Sequence, residues 1–101
     1  MLRFKQIGHR MNIIIIEHAI ERAIQRGTTR EEIFKVLEEG AEVTAKKGRK
    51  AKEIVFDYGK EWLGKFYPQK KVVVIYVMEN DGIVVITAKV YFGKWEVAHE
   101  D

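Results

Sequence analysis

Asn80-Asp81-Gly82 separates two long apolar runs, residues 72–78 and 83–92. Turn residues that tolerate positive φ, set between such runs, make a tight β-hairpin. A hairpin this long commits the C-terminal half to sheet, and a sheet this apolar must bury one face. In a chain of 101 residues the covering layer must come from the segments before it. Residues 41–45 and 53–58 also carry strand character, so the reading is about four strands. Their links are residues 46–52, 59–71 and 79–82.

The covering layer is legible upstream. Thr29 and Glu32 fit a capping box, in which Glu32 reaches back to the Thr29 backbone. A helix over residues 30–39 would bury Ile33, Phe34 and Leu37, and Gly40 would supply a left-handed stop. Before it, Asn12 can cap an earlier helix. Ile13, Ile16, Ile20, Ala23 and Ile24 follow the 3.6-residue period up to Gly27. The β-branched run of residues 13–16 fits a strand equally well, with the helix starting near Glu17. Residues 1–11 hold little pattern, although Leu2, Phe4 and Ile7 suit a short strand or arm. The expected fold is α+β. Residues 1–101 form a single domain, in which two N-terminal helices pack on one face of a twisted antiparallel sheet of about four strands.

Side-chain alternation assigns the faces of the last strand. Val84, Ile86, Ala88, Val90 and Phe92 form an apolar set that should meet the helices. Ile83, Val85, Thr87, Lys89 and Tyr91 point the other way, and a two-residue turn places Val72, Val74 and Tyr76 with them. Tyr76, Thr87, Lys89 and Tyr91 then make a candidate ligand surface with cationic and phenolic groups. Such a surface suits a phosphodiester: a cation offsets charge on phosphate, and tyrosine stacks a base or donates a hydrogen bond.

Composition narrows the chemistry. The chain has no Cys, which excludes thiolate metal sites, cysteine nucleophiles and disulfides and accords with a cytoplasmic setting. No apolar run reaches the ~18 residues of a membrane span, and the first residues hold no signal-like apolar stretch. Net charge is only +3, so any case for a polyanionic partner rests on where the charge sits. It concentrates in residues 46–52, where Lys46, Lys47, Arg49, Lys50 and Lys52 surround Gly48 with no acid among them. A basic loop of this kind can follow a nucleic-acid backbone through charge contacts, and a solvated surface loop is the plainer reading. His9, His18 and His99 are scattered without a metal-binding spacing, and no cofactor fingerprint is present, so neither metal nor cofactor is expected. Trp62, Phe66 and Tyr67 make the 59–68 segment aromatic, by default a cap on the core edge.

The segment from Glu17 to Ile33 sets His18, Arg22 and Arg26 at i, i+4 and i+8, one polar stripe on a helix. His18 can act as acid or base near neutral pH, and paired arginines can hold phosphate. The structural alternative has His18 meeting a backbone group while the arginines pair with Glu21, Glu38 or the sheet rim. His18-Ala19, Arg22, Arg26-Gly27, Thr28-Thr29 and Glu31-Glu32-Ile33 together resemble the family of unknown function DUF4258, and the resemblance continues to Ile86-Thr87 and Tyr91. That family is similar to the RelE and BrnT toxin fold. The resemblance implies a toxin-like protein that binds or cuts RNA without metal, with an antitoxin-like protein or a second copy as a further partner. His18, Arg22, Lys89 and Tyr91 would carry the chemistry. Arg26, Lys46, Lys47, Arg49, Lys50, Lys52, Tyr76 and Thr87 would hold the RNA. The alternative is a non-catalytic interaction domain that uses an open sheet face with Val72, Val74, Ile83 and Val85.

Overall fold

The computed structural model describes residues 2–7, 11–80 and 82–95, with backbone alone at 2–7 and 11. In chain order the elements are β1 (Leu2–Ile7), β2 (Met11–Ile16), α1 (Glu17–Arg26), α2 (Arg30–Glu39), β3 (Ala41–Val43), β4 (Lys50–Trp62), β5 (Lys65–Glu79) and β6 (Gly82–Gly93). The strands form one sheet in the order β1-β2-β6-β5-β4-β3. Every pairing is antiparallel except β2 with β6, which is parallel. Both helices pack on the same face, so the class is α+β as expected, with six strands rather than four and a mixed sheet.

The added strands are β1 and β2, paired with each other, and the isoleucine run accounts for the second. Four consecutive isoleucines favour an extended chain, and Met11–Ile16 is strand, with Ile16 at φ −64° and ψ 137° just before α1. Ile13 and Ile15 are fully buried against the helices. The expected link over residues 59–71 is instead a continuation of β4 and β5, which turn at Leu63 and Gly64, both with positive φ. The 79–82 hairpin forms with Glu79 opposite Gly82; Asp81 lies outside the described residues, as do His9 and His99.

The helical signals act locally and hold in part: the Thr29 half of the capping box forms, whereas the Glu32 carboxylate accepts from Thr28 and meets Lys70 instead of reaching back to the Thr29 backbone. Thr29 accepts a hydrogen bond from the Glu32 backbone N–H at 3.1 Å, and α2 runs from Arg30 to Glu39. Ile33, Val36 and Leu37 are its buried residues, with Phe34 packed at the core margin. Gly27 closes α1 at φ 102° and sends its N–H back to Ala23 and Ile24 carbonyls. Gly40 is not left-handed: its φ is −72°. A side chain there would collide with the Val36 and Glu53 carbonyls, so close approach of α2 to β4 selects glycine.

The alternation in β6 breaks at one residue. Tyr76 pairs with Val85 and Ile75 with Thr87, which leaves Ile86 as an extra residue in a β-bulge. Ile83 and Val85 before it, and Ala88 after it, are all buried in the helix-side core, with Val90 packed against them. Val72, Val74 and Tyr76 belong to that same face. The expected placement therefore reverses for Val84 and Ile86, half-buried outside the core, and for Ile83, Val85, Val72, Val74 and Tyr76, which are core. It stands for Thr87, Lys89 and Tyr91. Ile15→Ala, which empties a sealed position, is expected to cost about 2–5 kcal/mol in a urea melt. Ile14→Ala, next to it on the open face, should cost less than half as much; equal losses would contradict the assigned faces. No helix among the described residues is long and apolar enough to cross a membrane.

Candidate nucleic-acid interface

Register builds the open sheet face row by row. Ala51, Ile75 and Thr87 lie side by side, as do Glu53, Val73 and Lys89, and then Val55, Lys71 and Tyr91. At its margin the chain between β3 and β4 turns at Gly48 (φ 81°), and the Arg49 N–H donates to the Lys46 carbonyl at 3.0 Å. This turn sets Lys46 and Arg49 beside the sheet. The result is a groove of about 540 Å³ with Ala51, Val73 and Ile75 on its floor. Lys46, Arg49, Lys89, Thr87 and Tyr91 also line it; among the described residues no acid does, although Glu53 stands on the same face beside Val73. Tyr91 is 49 % exposed.

Arg26 extends this surface. β2 pairs with β6 only as far as Val85 and then gives way to α1, so among the described residues the edge of β6 beyond that point has no strand neighbour. The Arg26 guanidinium crosses to that edge from the last turn of α1. Its Nη1 donates to the Ala88 carbonyl at 2.8 Å and to Thr87 Oγ1 at 3.1 Å. An open β edge is a hazard for unwanted pairing, and a charge laid on it blunts that hazard. Arg26, Thr87, Lys89, Val90 and Tyr91 line a second hollow of about 430 Å³. Thr87, Lys89 and Tyr91 belong to both cavities, so the two meet over β6.

The other candidates fall elsewhere. Arg22 Nε donates to His18 Nε2 at 2.9 Å. Both are exposed, and among the described residues no hydrogen bond or ion pair ties them to the groove. The basic stretch divides by strand parity. Lys50 pairs with Tyr76, and Lys52 with Val74 on the helix side, where Lys52 Nζ donates to the Leu37 carbonyl at 2.9 Å. That contact answers the negative end of α2 rather than a ligand. Lys47 is exposed at the turn. Tyr76 is 3 % exposed, on the face opposite Lys89 and Tyr91; burial raises its phenol pKa, and the Glu42 carboxylate adds to the rise.

Lys70 is the polar group that the sequence reading missed. Its side chain is 8 % exposed, in phase with Val72 and Val74 on the helix face. Nζ lies 2.9 Å from Glu32 Oε1 and donates to the Gly27 carbonyl at 2.7 Å. The Thr28 hydroxyl donates to the same Glu32 oxygen at 2.8 Å. A β-carbon at Gly27 would meet Phe92 at 2.9 Å and Trp62 at 3.2 Å, and these two rings stack with centroids 4.9 Å apart. Gly27, Thr28 and Glu32 are thus a corner clamp between the helices and the sheet. The clamp fixes where α1 ends, and so where Arg26 stands. The available signal was a lysine in the alternation phase of a buried strand, a position that demands a partner.

Among the described residues no group of three or more His, Asp or Glu is placed to hold a metal ion. The sequence model of DUF4258, a domain of unknown function, matches residues 15–90. No curated protein and no solved structure matches the chain.

Proposed function

Since the chain belongs to the DUF4258 family, whose description leaves function open, we propose from the site itself that it is a toxin-like RNA-binding protein. In this reading it holds RNA across the open sheet face and cuts it without metal. The observation that carries the reading is the groove: three cations and a half-exposed tyrosine line it, and among the described residues no acid does. Lys46, Arg49 and Lys89 neutralise phosphates, and Arg26 adds a planar fork at the far end. In the cleavage step a ribose 2′-hydroxyl attacks its own phosphorus and the P–O5′ bond breaks. The products are a 2′,3′-cyclic phosphate and a 5′-hydroxyl. The attacking hydroxyl gives its proton to solvent, and the departing O5′ takes one from the Tyr91 phenol. Lys89 and Arg26 offset the charge that gathers on the phosphate. The RelE- and BrnT-like character of the fold, an antitoxin-like partner and a cytoplasmic setting belong to this same proposal.

Salt dependence tests the binding half. Affinity for single-stranded RNA should fall steeply as salt rises. Replacing Lys46, Arg49 and Lys89 together by Gln should flatten the logarithmic slope by about 2 units, the weight of three phosphate contacts. An unchanged slope would remove the groove from the reading.

A second reading has one observation in its favour. Beyond the groove the open face continues as Ile14, Val84 and Val77, side by side and only half-buried. A non-catalytic domain would use this apolar strip, rather than the buried Val72, Val74, Ile83 and Val85, to meet a partner protein or a second copy. A stable dimer that Val84→Lys dissociates, with no RNA binding, would favour it.

A further inference from the structure

The floor of the groove has a chemistry that phosphate binding alone does not use. Ala51 is 4 % exposed, and Val73 and Ile75 beside it are half-buried; all three are apolar. Cations stand on both sides of this floor, Lys46 and Arg49 at the β3–β4 turn and Lys89 with Arg26 at β6. From β4 to β6 the floor spans two strand spacings, about 10 Å. A ligand matched to this section has flat apolar faces toward the sheet and anionic groups along its margins.

We propose that the groove selects unpaired RNA and takes it with the bases laid on Val73 and Ile75; the inference rests on the RNA-binding reading above. In a duplex the base faces are covered by their neighbours, so the floor meets only the sugar–phosphate exterior and its apolar surface gains no partner. In an unpaired strand the bases reach the floor while the phosphates turn outward to the cations. Tyr91, exposed at the groove margin, offers a ring to one base. Arg26 serves as the terminal phosphate clamp. Both of its bonds to β6 use Nη1, and among the described residues no bond engages Nε or Nη2. The bulge at Ile86 places Thr87 opposite Ile75, so the residue that anchors Arg26 is also the last of the floor row.

Fluorescence anisotropy with the full chain decides this. The three probes are a short unpaired RNA, the same RNA annealed to its complement, and an inorganic polyphosphate of matched charge, all at one salt concentration. The unpaired RNA should bind about tenfold more tightly than either of the others. Ile75→Asn should weaken the unpaired RNA several-fold and leave polyphosphate unchanged; Val73→Ser is a second variant with the same expectation. Equal affinities for unpaired RNA and polyphosphate, or a preference for the duplex, would overturn the base-inward arrangement and leave the cationic groove as an RNA site. Failure of all three probes to bind would instead sink the RNA-binding reading itself.

Discussion

Glu32→Ala is expected to destabilise the fold by about 2–4 kcal/mol, far beyond its cost at an ordinary surface position. The reason is what it leaves behind. Lys70 keeps its ammonium beneath the helix layer, still bonded to the Gly27 carbonyl but without its counter-charge, and Thr28 loses its acceptor. The side chain of Glu32 is 24 % exposed, so water offsets part of the loss and the figure sits below that of a sealed pair. Glu32→Gln should cost less, since an amide oxygen still accepts from Thr28. The double variant Glu32→Leu with Lys70→Met should recover part of the stability, because it removes the charges as well as their attraction, while the Thr28 hydroxyl and the Gly27 carbonyl still lose their partners. A urea midpoint for Glu32→Ala within experimental error of the parent would show that the corner clamp contributes nothing.

Tyr91→Phe is expected to slow RNA cleavage by about 10²-fold or more, the usual weight of a positioned general acid. The phenol is exposed at the groove and is not part of the core, so the circular dichroism spectrum should not change. Lys89→Met should lower cleavage by a comparable factor through loss of charge at the phosphate. His18→Ala serves as the contrast: its Nε2 is engaged by Arg22, and it touches neither cavity, so cleavage should change less than threefold or so. Products should carry 2′,3′-cyclic phosphate ends, and the reaction should persist in EDTA. Dependence on Mg²⁺, or an unaltered rate in Tyr91→Phe, would end the proposed route. A protein that binds RNA and cuts none would keep the groove and lose the chemistry.

What could be read in advance follows the range of each signal. The bounds of α2 are legible because its start and most of its burial pattern are written within ten residues, from the Thr29 cap to the spacing of Ile33 and Leu37; Val36 is buried where Phe34 was expected. The turn between β5 and β6 is equally local. β2 was left between helix and strand because its pattern of isoleucines fits both. Its pairing with β1 and with β6, the latter seventy positions away, decides the matter. The faces of β6 were half right for the same physical reason. Alternation propagates from residue to residue, and one unpaired residue resets it. Thr87, Lys89 and Tyr91 lie past the reset and kept their places. Tyr76 sits on β5, whose phase was inferred across the turn from residues before the reset, and it moved to the core. The basic stretch from Lys46 to Lys52 was legible as charge but not as geometry. Its last members had already entered a strand whose alternation sends Lys52 to the far side of the sheet. The role of Arg26 needed the one fact that sequence does not hold, that β2 stops pairing where α1 begins.

Ile86 is the residue that the β5–β6 ladder does without. Strike it from the sequence and the last strand reads Ile83, Val85, Ala88 and Val90 inward and Val84, Thr87, Lys89 and Tyr91 outward, with no fault in the alternation. The partners on β5 already stand in that shortened order, Val85 across from Tyr76 and Thr87 across from Ile75. The core therefore has no need of the extra residue. An inserted residue makes a strand bend and twist more sharply, and this one falls just past the last β2–β6 pair and just before the two residues that Arg26 grips. The insertion sits at the margin of the sheet, where β2 gives way to α1 and the edge of β6 meets the Arg26 guanidinium.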